Sequence, residues 1–72
     1  MQQVIFKLYT NDGREIQVRK KHSYYTVWRQ SDEGQQFSKW QSAYARNQDD
    51  AFRMANYLLT RINSGEYDNG NA

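Results

Sequence analysis

The chain contains no cysteine and no proline, only one histidine and four glycines, and no long apolar run. Each scarcity excludes something. Without thiols there is neither a disulfide framework nor a zinc–thiolate site to supplement a small core. His22 is the only imidazole, and the scattered carboxylates around it are not a recognisable ligand set, so no metal and no cofactor is expected. The same poverty argues against an enzyme: no thiol is present, and Ser23, Ser31, Ser38, Ser42 and Ser64 lack a nucleophile-elbow context. The acidic pairs Asp32-Glu33 and Asp49-Asp50 read as a turn and a helix start. The glycines fall at turns, a cap and the tail, and none forms a phosphate-cradling loop. No segment is long and apolar enough to cross a bilayer. Met1-Gln2-Gln3 is not a basic leader, and the run from Val4 is broken by Lys7. Together with the missing cysteine, this gives the expectation of a soluble, cytoplasmic protein.

What is present is unevenly spread. Residues 1–46 carry eight Lys/Arg against four acids, a net of +4, whereas residues 47–72 carry two against four, a net of −2. Both tryptophans, two of three phenylalanines and four of six tyrosines lie in the basic part. At 72 residues there is room for one domain with one core. The large aromatics suit a chain that must reach stability by packing alone. No internal repeat and no linker separates a second domain. Residues 1–65 read as a single α+β unit and residues 66–72 as a disordered polar tail.

Val4 to Thr10 is rich in strand formers, and Asn11-Asp12-Gly13 is a hairpin signal. In the return strand, Arg14 to Lys21, Ile16 and Val18 alternate with Glu15, Gln17 and Arg19. A three-residue loop with Gly13 left-handed sets Leu8 opposite Ile16 and Phe6 opposite Val18. A two-residue loop would mix the faces, so the longer loop is favoured. A second hairpin runs from Tyr24 to Gln30, turns at Ser31-Asp32-Glu33-Gly34, and continues from near Gln35 through Phe37 and Trp40. Phe37 and Trp40 are three apart, so either this strand is bulged or it ends before Trp40.

Ala51, Phe52, Ala55, Leu58, Leu59 and Ile62 then form one apolar helical stripe. Asn47 or Asp49 is placed to cap its start, and Gly65 its end. The expected fold is α+β: an antiparallel three- to four-stranded meander packed on one C-terminal helix, β-β-β-β-α. Regular alternation would cover Val4, Phe6, Leu8, Ile16, Val18 and either Val27 or Trp28. It would leave Ile5, Lys7, Tyr9, Gln17, Arg19 and Lys21 on the open face. Whether the two hairpins pair with each other is left open by the pattern.

Arg19-Lys20-Lys21-His22 is the densest basic run. It reads as a solvated face with Lys20 guarding a sheet edge, or as a set of phosphate contacts beside aromatic stacking surfaces. From Tyr24 to Ile62 the order is strand, acidic-Gly turn, strand, and a helix opening NQDDAFRMANYLL. That layout resembles the arm-binding/AP2-like sheet-plus-helix DNA-binding domains of phage and transposon integrases. In place of that family's usual Gly-x-Phe-x-Thr approach to the helix stands Phe37-Ser38-Lys39-Trp40-Gln41-Ser42-Ala43. The resemblance implies a helix backing a sheet whose open face meets DNA, with Lys7, Arg19, Lys21, Arg29 and Lys39 as contacts. The expected function is therefore a non-enzymatic nucleic-acid-binding domain using Lys7, Tyr9, Arg19, Lys20, Lys21, Arg29 and Lys39. The alternative is a small protein-binding module or inhibitor from a mobile element, pairing the same face with an acidic protein surface or with a second copy in a homodimer.

Overall fold

The segment Thr10 to Arg14 fixes how the chain first doubles back. Thr10 N donates to Arg14 O at 2.8 Å, and Gly13 N donates to Thr10 O at 3.0 Å, closing a loop of Asn11, Asp12 and Gly13. Gly13 sits at φ 90, the left-handed position that this loop length requires and that a side chain would resist. The Thr10 hydroxyl donates to Asp12 and accepts from Arg14 N, so the loop is tied by side chains as well. In the resulting register Leu8 faces Ile16 and Phe6 faces Val18, as the side-chain pattern requires.

The computed structural model describes residues 3–30 and 36–65. In chain order the elements are β1 (Gln3–Tyr9), β2 (Glu15–Lys21), β3 (Tyr24–Gln30), β4 (Phe37–Ala45) and α1 (Gln48–Asn63). The four strands form one antiparallel meander in the order β1-β2-β3-β4, with α1 packed on one side. The two hairpins do pair: Val18 lies opposite Val27 and Gln17 opposite Trp28. They are joined by a two-residue turn at His22-Ser23, where His22 adopts φ 56. The turn at 31–35, including the strand start near Gln35, and the tail at 66–72 lie outside the described residues.

Helix α1 begins where Asn47 Oδ1 accepts from Asp50 N at 2.8 Å, so Asn47 is the cap. Asp49 and Asp50 then occupy the electropositive first turn. It ends with Ser64 N donating to Thr60 O at 3.0 Å and Gly65 N donating to Ile62 O at 3.1 Å. Gly65 takes φ 81, the left-handed C-terminal cap. Ala51, Ala55, Leu58 and Ile62 face the sheet and meet Ile16, Val18, Val27 and Ala45 in the buried core. Ala51 and Ala55 are fully buried, and their small side chains let the helix lie close to the strands. Phe6 packs against Phe52 with ring centroids 4.3 Å apart and the rings tilted by 32°, and Asn63 Oδ1 accepts from Asn11 N at 2.8 Å, tying the helix end to the first loop.

Two features depart from simple alternation. A bulge between Val4 and Phe6 inserts one residue into β1. It reverses the expected faces: Ile5 packs against the core, while Val4 stands opposite Arg19 on the open side, 40% exposed. The second irregularity lies in β3–β4, between the pairs Thr26–Tyr44 and Trp28–Lys39. The strand thus continues past Trp40 to Ala45 with a bulge. Phe37 lies on the open side beside Arg19, while Trp40 goes to the helix side and stacks on Tyr57.

Candidate nucleic-acid interface

Strand parity and the two bulges place the side chains of the open face in cross-strand rows. One row runs Val4, Arg19, Thr26, Tyr44, and the next Lys7, Gln17, Trp28, Lys39. A third sets Tyr9 opposite Glu15 and Gln30 opposite Phe37, linked where Glu15 N donates to Gln30 Oε1 at 2.9 Å. Beyond the first row Lys21 faces Tyr24, whose ring lies 5.5 Å from that of Tyr44.

Within this grid the polar side chains are connected. Glu15, Gln17 and Arg19 are two apart on β2 and so project from the same face. Lys7 Nζ approaches Glu15 Oε2 at 3.7 Å. Gln17 Nε2 donates to the same carboxylate oxygen at 2.8 Å, and Arg19 Nε donates to Gln17 Oε1 at 2.8 Å. The Arg19 guanidinium lies over Trp28, 4.1 Å from the ring centroid, with the Phe37 ring at 5.5 Å. Trp28 Nε1 in turn donates to Thr26 Oγ1 at 2.9 Å. Long side chains therefore roof this face, and Gln17 and Thr26 are buried beneath them. Burial lowers the Arg19 pKa from its ordinary value, with the Glu15 charge opposing the shift. At the far edge Lys39 Nζ donates to the Tyr44 hydroxyl and sits 4.7 Å from its ring.

Of the residues singled out in the sequence, Lys7, Tyr9, Arg19, Lys21 and Lys39 share the open face. Two do not. Arg29 pairs with Ile16 on the helix side and is only 6% exposed, because it shares the parity of Val27. Lys20 shares the parity of Val18, stands opposite Tyr25 and reaches over that ring at 5.8 Å. It guards no edge, since β2 is an inner strand. The contributions of Gln17, Thr26, Trp28 and Phe37 were not singled out as site residues. The i, i+2 spacing of Glu15, Gln17 and Arg19 was a usable signal for the first of them. Trp28 and Phe37 needed the cross-strand register.

Among the described residues, no three His, Asp or Glu side chains converge to hold a metal ion, and no helix is long and apolar enough to cross a membrane. No protein-family model matches the chain, and neither a curated protein nor a solved structure is significantly similar to it.

Proposed function

We propose that this chain is a non-enzymatic nucleic-acid-binding domain that presents its open sheet face to the phosphate backbone. One observation carries the reading: Lys7, Arg19, Lys21 and Lys39 share that face, with Glu15 as the one carboxylate set among them in the described residues. Excess positive charge on one face is the electrostatic footprint of a polyanion partner. The layout adds to it. Lys7 and Lys39 stand on the two outer strands of the same row, three strand spacings of about 4.8 Å apart, so about 14 Å. That span slightly exceeds the roughly 12 Å major groove of B-form DNA, so lysines on the two outer strands are spaced to reach the phosphates on either side of it. The sheet-plus-helix layout of integrase arm-binding domains supplies a precedent for such docking.

The test is binding of duplex and single-stranded DNA and RNA by the whole chain across a salt series. Phosphate-mediated binding must weaken steeply with salt. No binding at low salt would end the proposal. A protein partner is the second reading, favoured by Val4, Tyr9 and Tyr44 standing exposed beside the cations. A nuclease-insensitive complex with weak salt dependence would select it instead.

A further inference from the structure

Asp12-Gly13 is a reactive dipeptide as well as a turn. Glycine has no side chain to shield its amide, so in a free chain Gly13 N readily reaches the carboxyl carbon, Cγ, of Asp12. Attack forms an N–Cγ bond and breaks the Cγ–OH bond. The amide proton and the hydroxyl leave together as water, and a cyclic succinimide remains. One water then reopens the ring. Addition at Cγ restores the ordinary linkage, whereas addition at the backbone carbonyl leaves Gly13 joined through the side chain, an isoaspartyl residue of unchanged mass. Two conditions must hold for the first step. The amide must be released from its hydrogen bond, and the carboxyl must be neutral, because an ionised carboxylate has no hydroxyl to lose.

The fold opposes both. Gly13 N is held by Thr10 O at 3.0 Å. The Asp12 carboxylate accepts from the Thr10 hydroxyl and from Arg14 Nε, whose two contacts are 3.2 and 3.1 Å. Hydrogen bonds to the charged form favour it, and the Asp12 pKa is lowered accordingly, by Thr10 first and Arg14 second. Crowding plays no part: the space beside Gly13 is open, and the Asp12 side chain is 60% exposed to water. We propose that Asp12 is a site of isoaspartate formation, locked by Thr10 and Arg14 and opened only by local release of the first loop. This lock is independent of what the open face binds. An isoaspartyl residue adds a methylene to the main chain of a loop whose length sets Leu8 opposite Ile16 and Phe6 opposite Val18. The modified loop no longer fits that register, so each release that ends in reaction is a permanent loss of the native hairpin.

The experiment ages the whole chain near neutral pH, folded and in urea, and measures isoaspartate at residue 12 by peptide mapping and by isoaspartyl-specific methylation. The folded wild type is expected to react at least about tenfold more slowly than the unfolded chain, as for a bond reached only through local opening. Thr10→Val removes the hydroxyl but keeps the backbone carbonyl that holds Gly13, and Arg14→Gln removes the guanidinium. Each should raise the folded rate several-fold, with circular dichroism confirming that the variant is folded. Asn47→Ala weakens the opposite end of α1 from the loop and should leave the rate unchanged. The comparison of folded with unfolded wild type stands whatever the variants do to folding. Equal rates in those two states overturn the inference. A folded rate that neither loop variant raises overturns it too. So does a rise in Asn47→Ala as large as in the loop variants, since release would then be unfolding of the whole domain.

Discussion

His22 is the one described residue other than glycine with positive φ, at 56. An L-residue held left-handed costs about 1–2 kcal/mol, part of which glycine would return through its own larger entropy loss. His22→Gly is expected to raise stability by up to about 1 kcal/mol, and His22→Val to lower it by a similar amount. Urea midpoints at constant slope would measure both. The turn was hard to see in the sequence because Lys21-His22-Ser23-Tyr24 has none of the Gly or Asn that usually marks a two-residue hairpin. Asn11-Asp12-Gly13, by contrast, was legible down to its register, since only one loop length kept Leu8 and Phe6 on the face of Ile16 and Val18. Asp12 makes that loop pH-sensitive. Its pKa is held below the ordinary value by the Thr10 hydroxyl first and by Arg14 second. A depressed carboxyl contributes stability that is present above its unfolded pKa of about 4 and lost as pH falls through the folded value. The stability gap between wild type and Asp12→Asn should therefore be constant near neutrality and close on acidification, as followed by denaturation between neutral and acid pH.

Among the elements, α1 was the clearest in sequence because its cap, stripe and terminating glycine all agreed. Asn47 supplies the cap bond at 2.8 Å, and Asn47→Ala should cost about 1 kcal/mol. Leu58, fully buried between helix and sheet, should cost about 2–5 kcal/mol when truncated to alanine, enough to unfold much of a domain this small. Circular dichroism melts would rank the two. Strand β1 was legible in extent but not in facing. Val4 and Ile5 are both strand formers, so nothing in their chemistry announces that an extra residue enters at that point and exchanges their environments. The candidate site inherited the same limit. Odd-numbered Lys7, Arg19 and Lys21 were correctly placed together, whereas Lys20 and Arg29 were included for their charge although their parity with Val18 and Val27 sends them to the other side.

For the whole molecule the opposition of faces becomes a test. Lys7→Ala and Lys39→Ala should each reduce the magnitude of the salt slope of nucleic-acid binding by about 1, while Lys20→Ala and Arg53→Ala, away from the open face, should leave it unchanged. Equal effects from all four would mean that charge acts diffusely and that the sheet face is not the docking surface. The meander also bears on how the molecule comes to exist. Each strand pairs only with its neighbour in the chain, so the sheet closes through short loops with little entropy lost at each step. The long-range closure is left to the helix, whose Asn63 meets Asn11 across 52 residues. During synthesis, the cations of the sheet face are made before α1, yet Ile16, Val18 and Val27 lack the cover of Ala51, Ala55, Leu58 and Ile62 until it docks. Closure of the core therefore waits on α1, and a chain lacking that helix would expose the core residues and the open sheet face together.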